Sequence, residues 1–432
     1  MQFGITLRFC PPWRRDFLFS ILTQHEQNPK ICYSNFMKNP RIAIVHDFLL
    51  HLGGAERVTA VLAKIFPKAP IYTLLYDEKN VGKVFPREKV ITSHLQNLPN
   101  FIRRHHRFLL PLFPSAIERF DFSKFDVVIS SSNSFAHGII TPVKTKHICY
   151  YHSPMRYIWD YSAEYLQEHN FSGIKKILAL KTLNKIRIWD YFAGQRPDVV
   201  IANSQHVQKR IQKYYRRESE VIYPPVKTVN SEQLAISSLS AVADEQLAVK
   251  KTSDLKCPKR PLRSEVANSQ IASFLILSAL TPFKKIDLAI KAFNQNGEKL
   301  IIAGEGRQKK YLQSIAKSNI EFTGFVDDTE VDHLLSQCRA LIFPGEEDFG
   351  ITPVEAMAHG KPVLAFGHGG VTETVVSGVT GEFFNKPTVE SLLDGLNRLL
   401  ANEKKYDFKK IQAQARKFDE KVFEEKIKKL VI

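Results

Sequence analysis

Short apolar runs rich in Val, Ile and Leu alternate with helix-like stretches along most of the chain, and this alternation constrains the fold more than any other feature. In the first half of the chain the runs lie at 41–48, 126–131, 147–152 and 198–204. Each run is too short for a helix, but its length and composition suit a strand that is buried on both faces of a sheet. Strands that alternate with helices pair in parallel, so the pattern predicts an α/β fold.

The second half repeats this arrangement, with apolar runs at 273–280, 299–303, 340–345 and 362–367. A chain of 432 residues is too long for one ordinary core. We therefore predict two Rossmann-like, doubly wound domains that face each other across a cleft at the carboxyl ends of both sheets, where ligands of such folds bind. The predicted boundaries are 37–226 for the first domain, 227–270 for a flexible linker or insertion, 271–403 for the second domain, and 404–432 for a C-terminal helix that packs back on the first domain.

Residues 1–36 form an N-terminal extension in this interpretation, because the first strand pattern starts directly after Met37. Arg14 and Arg15 precede a short apolar patch, but neither a long apolar region nor a small-residue cleavage site follows, which argues against a signal peptide. No apolar run approaches the length of about 18 residues that a membrane-spanning helix needs. None of the five cysteines forms a C-x-x-C pair, so the sequence indicates a reducing cytoplasm and no zinc site.

The net charge of +17 is concentrated in the first half, where residues 1–226 contain 32 Lys and Arg against 17 Asp and Glu. Such a surface attracts the phosphates of nucleic acid, anionic lipid or a lipid diphosphate, although it also suits plain solvation. The segment 101–113 interleaves three arginines with large apolar residues, as a helix lying on an anionic membrane would. We expect an anionic membrane surface as a partner and no nucleic acid, because no nucleic-acid motif is present.

Two glycines, Gly53 and Gly54, end the first predicted strand and lead into a helical pattern that continues to Ile65. A strand, a glycine turn and a helix form the opening unit of a doubly wound domain, in which amides at the helix start face an anion. The turn is thus a candidate phosphate contact, although two glycines alone are a weak signal.

Glu347 and Glu355 are separated by seven residues, and Pro353 between them suits the first turn of a helix that Gly360 ends. This interpretation places Glu355 in the first turn of the helix and Glu347 on the loop ahead of it. Two carboxylates at this spacing suit a polyol site, a glycosidase, a metal site or plain surface charge, and spacing alone leaves these alternatives open.

Backbone amides at the start of this helix lack intrahelical partners and are available to an oxyanion. The residues that provide them are Gly350, Ile351 and Thr352. These amides could donate hydrogen bonds to an oxyanion while the two carboxylates accept the hydroxyls of a polyol.

The stretch GEEDFGITPVEAMAHGKPVLAFGHGGVTETV resembles the donor-site signature of glycosyltransferase family 4, the group 1 glycosyltransferases of GT-B fold. The resemblance extends to RIAIVHDF, GGAERV, YYHSPMRYIWD, VIANS and SALTPFKKIDLAI, and hence to most of residues 40–400. The HSPMRYIWD part is similar to the subgroup that includes bacterial O-antigen and exopolysaccharide mannosyltransferases. The family resemblance implies two Rossmann-like domains with a nucleotide-sugar donor bound mainly by the second.

The resemblance also implies roles for individual residues of the second domain. Glu355 matches the carboxylate that binds the donor ribose, and Glu347 matches the one that binds hydroxyls of the donor sugar near the leaving oxygen. Lys284 matches the lysine that neutralises the diphosphate. Many relatives place an arginine five residues before this lysine, where the chain has Ala279, which leaves Lys285 or another cation to share the phosphate charge.

Further matches lie in the loops that approach the donor from both domains. Phe349, Gly350 and Ile351 match the loop whose amides contact the sugar and the phosphates. In the first domain, Gly53 and Gly54 match the loop near the diphosphate, and His152 matches a histidine that contacts the donor sugar. On a strand end, a lone histidine is otherwise most often a satisfied core residue. The resemblance therefore implies Glu347, His152 and Lys284 as the catalytic residues.

The activity implied is that of a retaining, metal-independent hexosyltransferase, with the nucleotide sugar as substrate and no cofactor. We expect mannose from GDP-mannose as the donor group and a lipid-linked or oligosaccharide acceptor in cell-surface polysaccharide synthesis, at the inner face of the cytoplasmic membrane. The absence of a D-x-D motif agrees with metal independence. Two alternatives remain: a GT-B sugar-nucleotide epimerase, and a non-catalytic binder of anionic polymer.

Overall fold

The computed structural model describes residues 39–168, 172–227 and 273–431. The N-terminal extension predicted at 1–36 lies outside these residues, as does the predicted linker except for Lys227. Within the described part, the strands form two sheets in which every pair of neighbouring strands is parallel. The predicted α/β class is confirmed.

The first sheet has seven strands in the spatial order β3-β2-β1-β4-β5-β6-β7. They are β1 Ile42–Leu49, β2 Ile71–Tyr76, β3 Val90–Thr92, β4 Val127–Ser132, β5 Lys146–Tyr151, β6 Val199–Ala202 and β7 Glu220–Val221. The accompanying helices are α1 Gly54–Ile65, α2 Glu78–Val81, α3 Asn100–Arg104, α4 Phe113–Glu118, α5 Ser162–Glu168, α6 Gly173–Ala193 and α7 Gln205–Tyr215. Strands β2 and β4 are buried at every residue, as expected for a parallel sheet covered on both faces, although β4 is apolar only in its first three residues.

The second sheet has six strands in the order β10-β9-β8-β11-β12-β13. They are β8 Phe274–Leu277, β9 Leu300–Ala303, β10 Ile320–Gly324, β11 Leu341–Phe343, β12 Val363–Phe366 and β13 Gly381–Phe384. The helices that follow are α8 Ile286–Asn296, α9 Lys309–Ile315, α10 Asp328–Gln337, α11 Ile351–Ala358, α12 Val389–Ala401, α13 Phe408–Ala415 and α14 Glu420–Val431. The chain order reverses between β1 and β4 in the first sheet and between β8 and β11 in the second.

The C-terminal segment differs from the single helix expected over 404–432. It forms α13 and α14, separated by a 3₁₀ turn at 416–418. Phe418 is buried in the core of the second domain, whereas Phe423 and Ile427 are buried in the core of the first. The chain breaks its helix because it passes from one core to the other, and at the crossing Val226 donates its N–H to the Phe418 carbonyl oxygen at 2.9 Å.

The segment 101–113 also differs from the single helix expected. It consists of α3, a 3₁₀ stretch at 106–112 and the start of α4. Pro111 and Pro114 lack backbone N–H groups, so the hydrogen bonds of one continuous helix cannot form there. Leu109 is buried in the core of the first domain, whereas the Phe108 side chain is 82% exposed. Among the described helices, none combines the length and the apolar character that crossing a membrane requires.

Candidate active site

Lys284 and Glu347 meet at the carboxyl edge of the second sheet. Lys284 ends a 3₁₀ turn that follows β8, and Glu347 lies on the loop after β11. The strand order reverses between these two strands, and ligands of open α/β sheets bind outside such a reversal. The Lys284 ammonium contacts a carboxylate oxygen of Glu347, and the two side chains remain 16% and 23% exposed. The structure thus brings two of the predicted site residues together in a partly open ion pair.

Close backbone approaches at three glycines fix this arrangement. Gly369 has a φ of +80°, and a Cβ there would lie 2.3 Å from the Glu347 carbonyl oxygen. Gly370 donates its N–H to the same oxygen at 2.9 Å. A Cβ on Gly345 would lie 2.9 Å from the Lys284 Cα. The lysine turn and the Glu347 loop are therefore packed too closely for any larger residue at these positions.

Helix α11 begins at Ile351, with Gly350 as its N-cap at a φ of +85°. Glu355 consequently lies in the second turn, and the expectation that it lies in the first turn is wrong. The reason is that Gly350, in the left-handed region that glycine tolerates, starts the helix two residues before Pro353. The amides of Ile351 and Thr352 still lie at the helix N-terminus, where N–H groups lack intrahelical partners.

Glu355 has an electrostatic partner from the other domain. Burial raises the pKa of Glu355 above its ordinary value, and the Arg57 guanidinium acts against this shift. Arg57 lies on α1 and forms an ion pair with Asp328, the first residue of α10. A half-buried carboxylate with a cation nearby is suited to accept hydrogen bonds from hydroxyl groups.

The glycine turn of the first domain lies against the start of α11. Gly54 is the first residue of α1, and a Cβ there would be 3.1 Å from Ile351 Cδ1. Gly53 donates its N–H to the Glu56 carboxylate at 3.0 Å, which closes the first turn of α1. The N-termini of two helices from different domains therefore approach each other, and both favour negative charge.

His152 follows β5 and belongs to a buried polar network at the strand-order reversal of the first sheet. Its Nε2 lies 2.8 Å from Ser131 Oγ, and the Ser131 carbonyl oxygen lies 2.8 Å from His46 Nδ1. Burial lowers the pKa of His152 to about 3, so its ring is neutral near pH 7. Burial also opposes the charged form of His46, but the Glu56 carboxylate raises the pKa of His46 above its ordinary value. The pKa values of two neighbouring histidines are thus shifted in opposite directions.

Asp47 holds the loop that follows β4. Its carboxylate is 3% exposed and accepts the N–H groups of four consecutive residues, 133–136, at 2.5 to 3.1 Å. This arrangement satisfies a buried charge with backbone donors. It fixes the carboxyl edge of the first sheet beside His152.

Three further positions discussed in the sequence analysis lie in different environments. Phe349 is buried between Tyr223 and Phe418, with ring centroids 5.7 and 5.6 Å away, so its side chain anchors the loop. Lys285 is exposed and is the N-cap of α8, at a φ of +52°. Ala279, at the position where many relatives have an arginine, is exposed.

Arg210, which sequence analysis did not identify, joins the two domains beside the site. This residue of α7 is buried, and its guanidinium contacts the Asp348 carboxylate at 2.6 Å and the Asp160 carboxylate at 2.9 Å. Asp348 directly follows Glu347, so Arg210 links the first domain to the loop that carries Glu347. Its two partners are 138 and 50 residues away along the chain, and no local pattern signals such distant pairs.

The N-terminus of α7 is capped by the second domain. The Glu373 carboxylate accepts the N–H groups of Gln205 and His206 at 2.8 and 2.9 Å. Ser204, the N-cap of α7, donates its hydroxyl to the Asp348 carbonyl oxygen at 2.5 Å. These contacts and the Arg210 pair place α7 directly behind the Glu347 loop.

A cavity of about 800 Å³ opens at the carboxyl ends of β1 and β2. It is lined by carboxylate, amide and basic side chains together with one leucine and one tyrosine: Leu50, Tyr76, Asp77, Glu78, Lys79, Asn80, Arg87, Gln96, Asn100 and Arg103. Leu50 precedes Gly54 by four residues, so the two residues are at most about 14 Å apart. The cavity therefore lies next to the glycine turn, on the first domain.

Two family models match the chain. The model described as "Glycosyl transferases group 1" matches residues 263–418, and the one described as "Glycosyltransferase Family 4" matches residues 52–229. The two matches lie on different sheets, and each includes the site residues of its domain.

Known proteins are similar over almost the whole chain. Alpha-1,3/1,6-mannosyltransferase ALG2 of Dictyostelium discoideum is 25% identical over 91% of this chain and 98% of its own length. Anabaena HepE in complex with UDP-glucose matches with a TM-score of 0.61 at 20% identity, over 91% of this chain and 99% of that one. Sucrose-phosphate synthase from Thermosynechococcus elongatus matches with a TM-score of 0.64 at 15% identity, over 90% and 98%. These structural matches confirm the predicted GT-B fold of two Rossmann-like domains.

Proposed function

This chain belongs to the group 1 glycosyltransferases of family 4, and on that premise we propose that it transfers mannose from GDP-mannose to a lipid-linked or oligosaccharide acceptor in cell-surface polysaccharide synthesis. The observation that carries the proposal is the Lys284–Glu347 pair at the carboxyl edge of the second sheet, where the glycine turn of the first domain approaches α11. Similarity to an alpha-1,3/1,6-mannosyltransferase over 91% of the chain supports mannose as the transferred sugar.

In this proposal Lys284 binds the donor diphosphate. The ammonium is paired with Glu347 in the structure, and a phosphate oxygen that replaced the carboxylate would leave Glu347 free to accept sugar hydroxyls. The amides at the starts of α1 and α11 provide further donors for the phosphates. Glu355, one helical turn inside α11, accepts the ribose hydroxyls.

Bond cleavage between the sugar and the diphosphate develops negative charge on the leaving oxygen. Lys284 and the amide dipoles at the helix starts are in place before the reaction, so they stabilise this charge without reorganisation. We therefore propose transfer that needs no metal ion. The neutral ring of His152 contacts the sugar by hydrogen bonding, and the acceptor attacks the face from which the diphosphate leaves, with retention of configuration.

The polar cavity on the first domain is the proposed entry for the acceptor. Its mixture of carboxylates and amides suits sugar hydroxyls, and Arg87 and Arg103 suit a phosphate or diphosphate. The cavity lies next to the glycine turn that contacts α11, and we propose that an acceptor bound in the cavity reaches the anomeric carbon past this turn. We propose that the reaction takes place at the inner face of the cytoplasmic membrane.

Incubation of the purified protein with separate GDP-, UDP-, ADP- and dTDP-sugars, each with and without lipid-diphosphate or oligosaccharide acceptors, tests this function. Mass spectrometry is expected to show a hexose added to the acceptor from GDP-mannose, in the presence of EDTA. No transfer and no thermal shift with any nucleotide sugar would contradict the donor assignment. Conversion of the free donor into an epimer, with no acceptor product, would identify an epimerase instead.

A further inference from the structure

Helix α6 exposes large aliphatic and aromatic side chains to solvent along its whole length. The exposed fractions are 76% for Ile174, 55% for Ile177, 58% for Leu178, 61% for Ile188 and 63% for Phe192. Singly exposed apolar residues are common on protein surfaces, whereas a contiguous apolar patch marks an interaction site. The spacing of these five residues shows whether they are scattered or form one patch.

These residues lie on one side of the helix. At 100° per residue they occupy a stripe roughly 120° wide and about 27 Å long. Lys181 and Lys185 fall inside the same stripe and are also exposed. The opposite side buries Leu183 and Ile186 in the core of the first domain. The stripe is therefore the outward side of a helix whose inward side is already packed.

The exposed charged side chains of α6 are all basic. Lys175, Lys176, Lys181 and Lys185 are exposed, and no acidic residue lies between Gly173 and Trp189. The acidic residue that follows, Asp190, is fully buried and accepts hydrogen bonds from Trp159 Nε1 and the Tyr215 hydroxyl. A ligand of this stripe therefore meets lysines and apolar groups without acidic side chains from the helix itself.

Exposed aromatic side chains also lie on two segments that cover the same core as α6. The α3 helix and the 3₁₀ stretch after it pack Leu109 and Ile102 on the same core cluster that holds Leu183 of α6. From the outside of these segments Phe101 and Phe108 are 69% and 82% exposed. We use the name basic apolar face for these two sets of residues, the stripe on α6 and the exposed residues of 101–108.

We propose that the basic apolar face docks on an anionic lipid membrane. Lysines interleaved with apolar side chains on a helix that lies flat suit the interface between headgroups and acyl chains, where both kinds of group are satisfied at once. A polyanion such as nucleic acid would use the lysines but leave the apolar side chains in water. Asn100 and Arg103 of α3 line the proposed acceptor cavity, so docking would bring the cavity to the membrane surface. This inference rests on the proposed membrane-linked acceptor, although the docking itself needs no turnover.

Vesicle flotation of the full chain tests the docking surface. The probes are vesicles of phosphatidylcholine alone and vesicles with 40% phosphatidylglycerol. We expect the wild type to float with the anionic vesicles and the Ile177→Asp/Ile188→Asp variant to bind at least tenfold more weakly. Lys181→Gln/Lys185→Gln is expected to weaken binding severalfold and to remove most of its dependence on salt.

Phe325→Asp is the matched control, because Phe325 is 79% exposed but follows β10 of the second domain. Its binding is expected to equal that of the wild type. The proposal is overturned if the wild type does not bind anionic vesicles, if Phe325→Asp weakens binding as much as the α6 variant does, or if light scattering shows that α6 instead forms a dimer contact. Donor-dependent thermal shift, measured on each variant, reports on the donor site separately, so a failure of docking and a failure of the proposed function are distinguishable.

Discussion

Arg210 and Asp348 form an ion pair with a 2.6 Å contact that ties the first domain to the loop bearing Glu347. The same guanidinium contacts Asp160 of its own domain, so one buried cation neutralises two carboxylates from opposite sides of the domain boundary. Because Asp348 adjoins Glu347, the pair connects the relative position of the domains to the position of a proposed donor ligand.

Replacement of Arg210 with Met is expected to lower the free energy of unfolding by about 3 kcal/mol, because the partly buried Asp348 and Asp160 would lose their shared cation. Turnover should fall as well, because the Glu347 loop loses its anchor. Urea unfolding and steady-state kinetics measure the two effects. Lys209→Met, at the exposed neighbouring position, should change stability by less than about 0.5 kcal/mol. Equal effects for the two variants would argue against the anchoring role.

Gly369→Ala and Gly378→Ala form a matched pair that tests the support of Glu347. Both glycines have a positive φ, +80° and +73°, so an alanine strains the backbone at either position by at least about 1 kcal/mol. A Cβ on Gly369 would meet the Glu347 carbonyl oxygen at 2.3 Å, whereas nothing lies within 4 Å of a Cβ on Gly378. Gly369→Ala is therefore expected to reduce kcat at least tenfold, and Gly378→Ala to leave kcat nearly unchanged. Similar kcat values for the two variants would show that the Glu347 loop tolerates displacement.

The contrast between His46 and His152 can be observed by NMR of ¹⁵N-labelled histidine. Burial opposes the charged form of His46, but the Glu56 carboxylate, with smaller contributions from Asp47 and Ser131, raises its pKa, whereas burial lowers the pKa of His152 to about 3. Glu56→Gln removes the contributions of the Glu56 carboxylate and leaves burial opposed only by the Asp47 carboxylate and the Ser131 carbonyl oxygen, so the pKa of His46 should fall. The exposed Glu78→Gln variant should leave it unchanged. A His46 pKa that does not respond to Glu56→Gln would exclude this pairing.

Acid stability should depend on His147, which lies in the first-domain core with its Nε2 2.8 Å from Ser130 Oγ. Burial lowers the pKa of His147 to about 3. Below pH 6.5 the unfolded chain therefore binds a proton that the folded chain does not, and folding loses stability as the pH falls. Between pH 7 and pH 5 this histidine accounts for a loss of about 2 kcal/mol. In the His147→Gln variant, the decrease in the free energy of unfolding between pH 7 and pH 5 should be smaller by about 2 kcal/mol. The same decrease in the variant and the wild type would contradict a lowered pKa for His147.

Eight of the thirteen described strands were predicted from the sequence, because they contain short runs rich in Val, Ile and Leu; β2, β3, β7, β10 and β13 were not predicted. The family resemblance implied that Lys284, Glu347 and the glycine turn belong to one donor site, and the structure pairs Lys284 with Glu347. The exact start of α11 was not predictable from Pro353, because the left-handed conformation of Gly350 depends on its packing against Phe343. Contacts between distant parts of the chain, such as that of Arg210 with Asp348, leave no local signal in the sequence. The break between α13 and α14 at 416–418 was not predictable either, because it depends on the two cores between which the chain passes.

The most direct test of the central claim compares GDP and GDP-mannose binding by isothermal titration calorimetry in the wild type, Lys284→Ala and Glu347→Gln. If Lys284 holds the diphosphate and Glu347 holds the sugar, Lys284→Ala weakens both ligands by at least tenfold. Glu347→Gln should preserve the affinity for GDP and abolish the additional affinity that mannose provides. Wild-type affinity for both ligands in both variants, or an equal loss for GDP and GDP-mannose in Glu347→Gln, would contradict the proposed donor site.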